Sequence, residues 1–566
     1  MNKASFGSKI LASEDYWAIW IGAFILLSGL ILFLIIGHNS IGDEIKNNRQ
    51  ALINVSKDTP FKTIDWYKEK EKSAELTGTK TAIGKVFSKI LTKPKSWINN
   101  PVSSFVSQGQ IMSGEQLRRI DSLKGNLMIL EAQALQSELV ARNASYSDVD
   151  LNLTAEEAAQ QWYQALGSLN GIEKKASSKP YNILGSLLLL GISLAIIFGI
   201  GAFYMGERYL KFVMAFAGVF ILAILSYMLA AQVDMKNMGI SYAVWAILIG
   251  LIVSNTIGTP NWIKPALQTE YFIKTGLVLL GSEILLGKIM AIGLPGIFVS
   301  WFVTPIVLVS TFWFGQKVLK IGSKTLNITI SADMSVCGVS AAIATAAACN
   351  AKKEELTLAV GLSMVFTSIM MIAMPAFINA VGMPEILGGA WIGGTIDATG
   401  AVVAAGAFLG DKALNVAATI KMIQNVLIGI IAFGVAFYWA TRVEKTGHSK
   451  VGVGEIWKRF PKFIIGFLGA SIVFSIIYAL LSKEYSYAFI DHGIIGGLTK
   501  DVRGWLFCLA FVSIGLSVNF KELKHQFSGG KPLILYVCGQ CFNLLLTLIM
   551  AYIMFYLVFP EITNLI

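Results

Sequence analysis

Eleven apolar runs of near membrane-helix length recur along the chain: 16–37, 181–205, 212–231, 240–258, 272–286 (a short one), 292–315, 356–381, 416–440, 463–481, 504–520 and 533–558. About 20 apolar residues span a bilayer core, so the pattern predicts an all-α polytopic membrane protein of 11 transmembrane helices. Two further apolar segments are interrupted. Residues 327–350 read NITISADMSVCGVSAAIATAAACN, and residues 388–411 read GGAWIGGTIDATGAVVAAGAFLGD. Each collects Gly, Ser or Thr near its middle and carries one carboxylate there, Asp333 and Asp397. Hydrocarbon tolerates non-helical backbone only where protein or a wet cavity surrounds it. Paired interrupted segments point to the binding site of a secondary transporter.

The polar stretch 38–180 separates the first two runs and reads as a mainly helical extracytoplasmic domain. Apolar positions at three- and four-residue spacing predict a helix over 114–142, and Thr154 with Glu157 forms a capping-box pattern that predicts a second helix start. The stretch holds no cysteine and no Gly-rich phosphate loop, so a docking or oligomerisation cap is expected rather than a ligand-capture domain. The first run has 22 residues, longer than the apolar region of a cleaved signal peptide, and predicts a retained anchor. The expected organisation is a cytoplasmic tail and anchor (1–37), the outer domain (38–180), a second helix with its linker (181–208), and a transporter core (209–566).

Composition agrees with the pattern. Of 566 residues 55% are hydrophobic and 14% charged, where soluble chains carry roughly 25% charged residues. The net charge of +11 changes meaning once located: Arg442, Lys445, Lys450, Lys458, Arg459 and Lys462 share one short loop, Lys317, Lys320 and Lys324 another, and Lys521, Lys524 and Lys531 a third. Basic short loops stay cytoplasmic. With Lys3 and Lys9 placing the N-terminus inside, all three loops fall on the cytoplasmic face of the membrane. The charge is topology in contact with the lipid bilayer, and no nucleic-acid partner is expected. Cys337, Cys349, Cys508, Cys538 and Cys541 lie in apolar segments, and His38, His448, His492 and His525 at segment ends or in loops. Neither set makes a metal site, and Cys538 and Cys541, one helical turn apart, read as packing residues. With no catalytic dyad, no enzyme and no cofactor are expected.

The interrupted segments carry the candidate chemistry. A half-helix start presents free N–H groups and the positive end of a dipole, which suits an oxyanion. Ser331, Ser335, Cys337, Gly338 and Ser340 surround the first break, and Thr395, Thr399 and Gly400 the second. Small residues there could also serve close helix packing alone. Asp333 and Asp397 repel an anion and are assigned to a coupling ion, H⁺ or Na⁺, with a helix cap as the alternative. Lys421 and Gln424, one turn apart, complete the set. Lys421 either neutralises Asp397, holds the anion, or reaches the interface from near the end of its run. Glu283 ends a short run and is expected to face water.

From about residue 209 onward the chain resembles a known family. The run SADMSVCGVSAAIATAAACNAKKEE is similar to the S-x-C-G-x-S-A-I-A block of the YeiH-like bacterial inner-membrane proteins, labelled sulfate exporters. IGGTIDATGAVVAAG resembles their second block, and LIVSNTIG, TGLVLLGSEILL, ATIKMIQNVLIG and SIGLSVNFKELKHQFSGGKPL follow in family order. Relatives carry a His-Glu pair where this chain has Asp397 and Ala398. The resemblance implies an inverted-repeat core with interrupted helices, a sulfate or organosulfonate substrate, and Lys421 as part of a family block. A weak internal echo between the stretches beginning at Gly276 and Phe511 suits such a repeat.

Loop charge favours two re-entrant hairpins, which leave Lys352 and Lys353 inside; the family analogy favours crossing, unwound helices. The reading that follows is a secondary transporter of a small inorganic or organic anion. A cation/proton antiporter, a membrane receptor or scaffold using the outer domain, and a homo-oligomeric assembly remain open.

Overall fold

The computed structural model describes residues 10–109, 114–176, 180–237, 240–284, 286–443, 461–519 and 530–565. Lys3, Lys9, Lys445, Lys450, Lys458, Arg459, Lys521, Lys524, His448 and His525 lie outside them. Apart from a two-stranded antiparallel pair, Val106–Ser107 against Tyr181–Asn182, the regular structure of the described residues is helical. Among the described residues, eight helices are long and apolar enough to cross a membrane: Glu14–Ile36, Leu184–Tyr204, Tyr209–Ala230, Ile292–Lys317, Lys353–Ala380, Asp411–Tyr438, Phe463–Leu480 and Gly530–Val558.

The other three expected runs are shorter or more polar helices. Tyr242–Thr256 has 15 residues and stops before Gly258, whose φ of +79° turns the chain out of the helix. Thr269–Glu283, also 15 residues, stops where Ile284 becomes extended. Lys500–Ser517 carries Lys500, Asp501 and Arg503 at its start.

The chain forms two compact units. One comprises Ile25–Leu190 and Ile476–Asp501. Its polar part is built on the helices Ile64–Glu75, Gly114–Asn143 and Val149–Ala176 around Ile64, Tyr67, Ala134, Ala159 and Trp162. The fully buried Ala134 and Ala159 leave room for the rings, and Tyr67 stacks on Tyr163 with centroids 4.5 Å apart. Burying such side chains contributes about 1.5–3 kcal/mol each. The helix expected to open at Thr154 begins five residues earlier, at Val149. Asp148 is its cap, accepting the N–H groups of Asp150 at 2.9 Å and Leu151 at 3.2 Å. Thr154 lies inside the helix and donates to the Asp150 carbonyl, so the capping-box pattern there is incidental.

The other unit comprises Met1–Phe24, Gly191–Ser475 and Val502–Ile566. Eight of its helices frame the interrupted segments: α1 (Val303–Lys317), α2 (Lys324–Asp333), α3 (Gly338–Ala348), α4 (Lys353–Ala380), α5 (Glu385–Thr395), α6 (Thr399–Leu409), α7 (Asp411–Asn425) and α8 (Gly530–Tyr552). Gly389 and Gly393, four apart on α5, let it lie directly on the α7 backbone. A Cβ at these positions would stand 2.6 Å from the Ala413 carbonyl oxygen and 2.7 Å from that of Ala417. That approach fixes the end of α5 beside the side chains further along α7.

Glu283 does not face water. It pairs with Arg503 through two bonds, Nε to Oε1 at 2.9 Å and a terminal guanidinium nitrogen to Oε2 at 2.8 Å. Their side chains are 11% and 5% exposed, and a two-point guanidinium fit is what makes burial of both charges tolerable. Removing one partner leaves the other charge buried, at a cost of about 3–5 kcal/mol. Glu283→Gln or Arg503→Met is expected to lower the apparent melting temperature of the detergent-solubilised protein sharply. The double substitution Glu283→Met/Arg503→Met is expected to recover most of the loss, by tryptophan fluorescence on heating.

Candidate functional site

Both interrupted segments are pairs of short helices. In the first, α2 has 10 residues and ends at Asp333, and α3 has 11 and starts at Gly338. In the second, α5 and α6 have 11 residues each, separated by Ile396, Asp397 and Ala398. Gly338 takes φ +42°, a left-handed conformation that disfavours a side chain. A Cβ there would also lie 3.0 Å from the Ser363 hydroxyl and 3.4 Å from Cβ of Asp397. The tips of the two breaks touch: Cys337 Sγ lies 3.7 Å from Thr399 Oγ1.

A helix end leaves carbonyls without intrahelical partners, and here they are buried. Side chains of α7 and α8 supply the missing donors. Asn543 donates to the Met334 carbonyl at 3.4 Å, and Gln424 donates to those of Ser335 at 3.1 Å and Gly394 at 3.2 Å. Lys421 Nζ donates to the Val336 carbonyl at 2.5 Å, and Gln540 to that of Thr395 at 3.1 Å. Lys421 also donates to Gln424 Oε1 at 2.7 Å, and the Gln424 amide reaches Thr304 Oγ1 on α1 at 3.1 Å. Lys421 is 1% exposed, so it does not reach an interface. No carboxylate among the described residues lies within ion-pair distance of it, and it acts on Asp397 only through the field.

The two acids face one another across α4 and α8. Ser363 of α4 donates to Asp397 Oδ2 at 3.3 Å and lies against Asp333 as well. The Tyr536 hydroxyl of α8 donates to the same Asp397 oxygen. Asp397 Oδ1 and both oxygens of Asp333 are buried without a hydrogen-bond partner among the described residues. A carboxylate so enclosed needs a proton or a cation.

The predicted hydroxyls divide. Ser335 and Thr395 donate to carbonyls of their own helices, Ser331 and Trp391, and Ser331 reaches only Asn327, at 3.5 Å. Thr399 is engaged across the site, accepting from Asn425 at 3.1 Å. Gly400 packs against Ile273, and Ser340 is exposed. Ser363, Asn425, Tyr536, Gln540 and Asn543 are not anticipated by the sequence reading. A signal is present all the same: Tyr536, Gln540, Asn543 and Thr547 recur at four-, three- and four-residue steps along one face of an apolar helix. Cys538 and Cys541 lie on its opposite, exposed face. The described residues hold no group of three metal-ligating side chains.

A family described as "Conserved hypothetical protein 698" matches residues 214–536. A UPF0324 membrane protein of Nitratidesulfovibrio vulgaris is 54% identical over 559 residues, covering 98% of this chain and 96% of the relative. The chain belongs to this family. A UPF0324 membrane protein of Rhodopirellula baltica is 57% identical over 386 residues, 68% of this chain and 70% of the relative. The likeness to the first relative reaches beyond the family match and takes in residues 38–180, so the polar stretch is shared. No solved structure matches.

Tyr536→Phe removes the hydroxyl donor to a buried carboxylate and is expected to destabilise by about 1–3 kcal/mol. Gln424→Leu strips donors from the Ser335 and Gly394 carbonyls together and is expected to lower the apparent melting temperature further than Tyr536→Phe. Equal effects in the same fluorescence assay would contradict the role given to Gln424.

Proposed function

We propose that this UPF0324 membrane protein is a secondary active transporter of a small anion, of the sulfate or organosulfonate class, coupled to H⁺ or Na⁺. One observation carries the reading: two half-helix starts, at Gly338 and Thr399, meet at a buried junction with no side-chain cap on either. Uncapped N–H groups backed by a helix dipole are donors for an oxyanion. Cys337, Gly338, Thr399, Gly400 and the nearby Ser340 are the substrate contacts in this proposal. Ser331, Ser335, Thr395, Lys421 and Gln424 position the breaks. The sulfate class comes from the resemblance of the sequence blocks, since the names of the relatives give no substrate.

The proposed topology has 11 spans, the N-terminus in the cytoplasm of a bacterium, residues 38–180 outside the inner membrane, and an inverted-repeat core over 209–566. A cation/proton antiporter is the second reading, and Asp333 with Asp397 favours it, because the acids need no anion to act.

Uptake of labelled sulfate and a labelled sulfonate into proteoliposomes, with pH and Na⁺ gradients imposed separately, tests the proposal. Saturable uptake driven by one gradient is expected, and Asp397→Asn is expected to abolish the gradient dependence. Dissipation of a pH gradient by Na⁺ without anion movement would establish the antiporter instead. Gradient-driven uptake that survives in Asp397→Asn would remove that carboxylate from the coupling.

A further inference from the structure

Buried oxygens converge on one end of the two breaks. The carbonyls of Ser335, Val336, Gly394 and Thr395 and Oε1 of Gln424 form a set joined through Lys421, Gln424 and Gln540. Among the described residues, Oδ1 of Asp397, two residues after Thr395, and Oε1 of Gln540 are buried without a hydrogen-bond partner. Neutral carbonyl and amide oxygens are ligands that suit a hard cation. A cation is already there: the ammonium of Lys421, at 2.5 Å from one carbonyl and 2.7 Å from the amide oxygen.

We infer that Lys421 is a tethered cation whose ammonium takes the Val336 carbonyl and Gln424 Oε1, the two oxygens of this cage not held by amide donors, where a free alkali ion would otherwise bind, leaving the proton as the coupling ion. The choice of H⁺ over Na⁺ rests on the carrier reading; the occupancy of the cage does not. The charged and titratable groups on every element packed around the cage agree with it. The first break offers Asp333 and Cys337, the second Asp397, α8 Tyr536 and α7 Lys421 itself, while α4 and α1 offer only the hydroxyls of Ser363 and Thr304; the helix Thr269–Glu283, packed on α6, adds Lys274 and Glu270, which are paired with each other at 3.8 Å. One fixed positive charge therefore stands among two carboxyls. The acceptors still lacking a donor are chiefly on those carboxyls, where a proton supplies the donor and needs no added cavity. An alkali ion would compete with Lys421 for the Val336 carbonyl and Gln424 Oε1.

The test is ion-dependent stability of the purified full chain, heated in choline, Na⁺ or Li⁺ chloride at equal ionic strength. No difference among the salts is expected for the wild-type chain. Lys421→Ala, which vacates the cage, is expected to gain a saturable rise in apparent melting temperature with Na⁺ or Li⁺. Lys421→Arg, which keeps a charge, is expected to gain none. A saturable Na⁺ or Li⁺ shift in the wild-type chain overturns the inference, and so does a folded Lys421→Ala protein indifferent to both ions. If Lys421→Ala does not fold, the wild-type comparison decides alone, with ²²Na⁺ binding as its second measurement. None of these readouts needs a transported anion, so failure of the carrier proposal would leave them standing.

Discussion

The constraint on which this core depends is the fate of backbone carbonyls where a helix stops inside the protein. An unpaired buried carbonyl costs about 1–3 kcal/mol, and five carbonyls at the two breaks accept from side chains instead: those of Met334, Ser335, Val336, Gly394 and Thr395. Four side chains from two helices satisfy all of them. Gln424 serves both breaks at once, so the ends of α2 and α5 are held in one place by one amide. Separating α7 from either break would strand carbonyls and an ammonium together. These bonds tie α2, α5, α7 and α8 together at the breaks.

This arrangement sorts the polarity of the breaks. Their carbonyl ends are closed by the chain's own donors, whereas the starts of α3 and α6 have no side-chain caps. The hydroxyls take part less than their number suggests. Ser335 and Thr395 return to their own helices, a use that relieves the preceding turn and lets a helix bend or end. The glycines do the complementary task. Gly389 and Gly393 bring α5 onto α7, which is what allows a side chain as short as Gln424 to span both breaks.

Much of this is legible in the sequence. Run length picks out eight helices long and apolar enough to cross a membrane among the described residues, while three of the eleven runs fold as shorter or more polar helices; the two Gly-, Ser- and Thr-rich segments each coincide with a pair of short helices. Gly, Ser and Asp clustered in an apolar run are tolerated in a membrane chiefly where the backbone departs from a helix inside protein. Lys421 stands out in the sequence, but its environment does not. Position near the end of an apolar run suggests an exit to the interface, whereas depth is set by tertiary packing that a linear pattern does not contain. Glu283 is misplaced for the same reason: its partner, Arg503, lies 220 residues away. The stripe of Tyr536, Gln540, Asn543 and Thr547 is readable as a helical face, yet nothing local says that the face meets a broken helix. At Thr154 a local pattern matches by chance, and the Asp148 side chain upstream supplies the actual cap.

The placement of the acids limits what any ligand at the junction can do. Asp397 precedes α6 by two residues, close to the positive end of that helix, a position where negative charge is stabilised. The same dipole is what would hold an oxyanion, so the carboxylate and the anion draw on one source of positive field. Both cannot be fully charged there without a compensating proton or cation, since like charges at short range in a weakly screening interior repel strongly. Lys421 contributes one fixed positive charge but is committed to the Val336 carbonyl and Gln424. In the carrier reading, arrival of an anion and neutralisation of a carboxyl are thus two halves of one electrostatic event, and coupling follows from the crowding of the junction without a separate device.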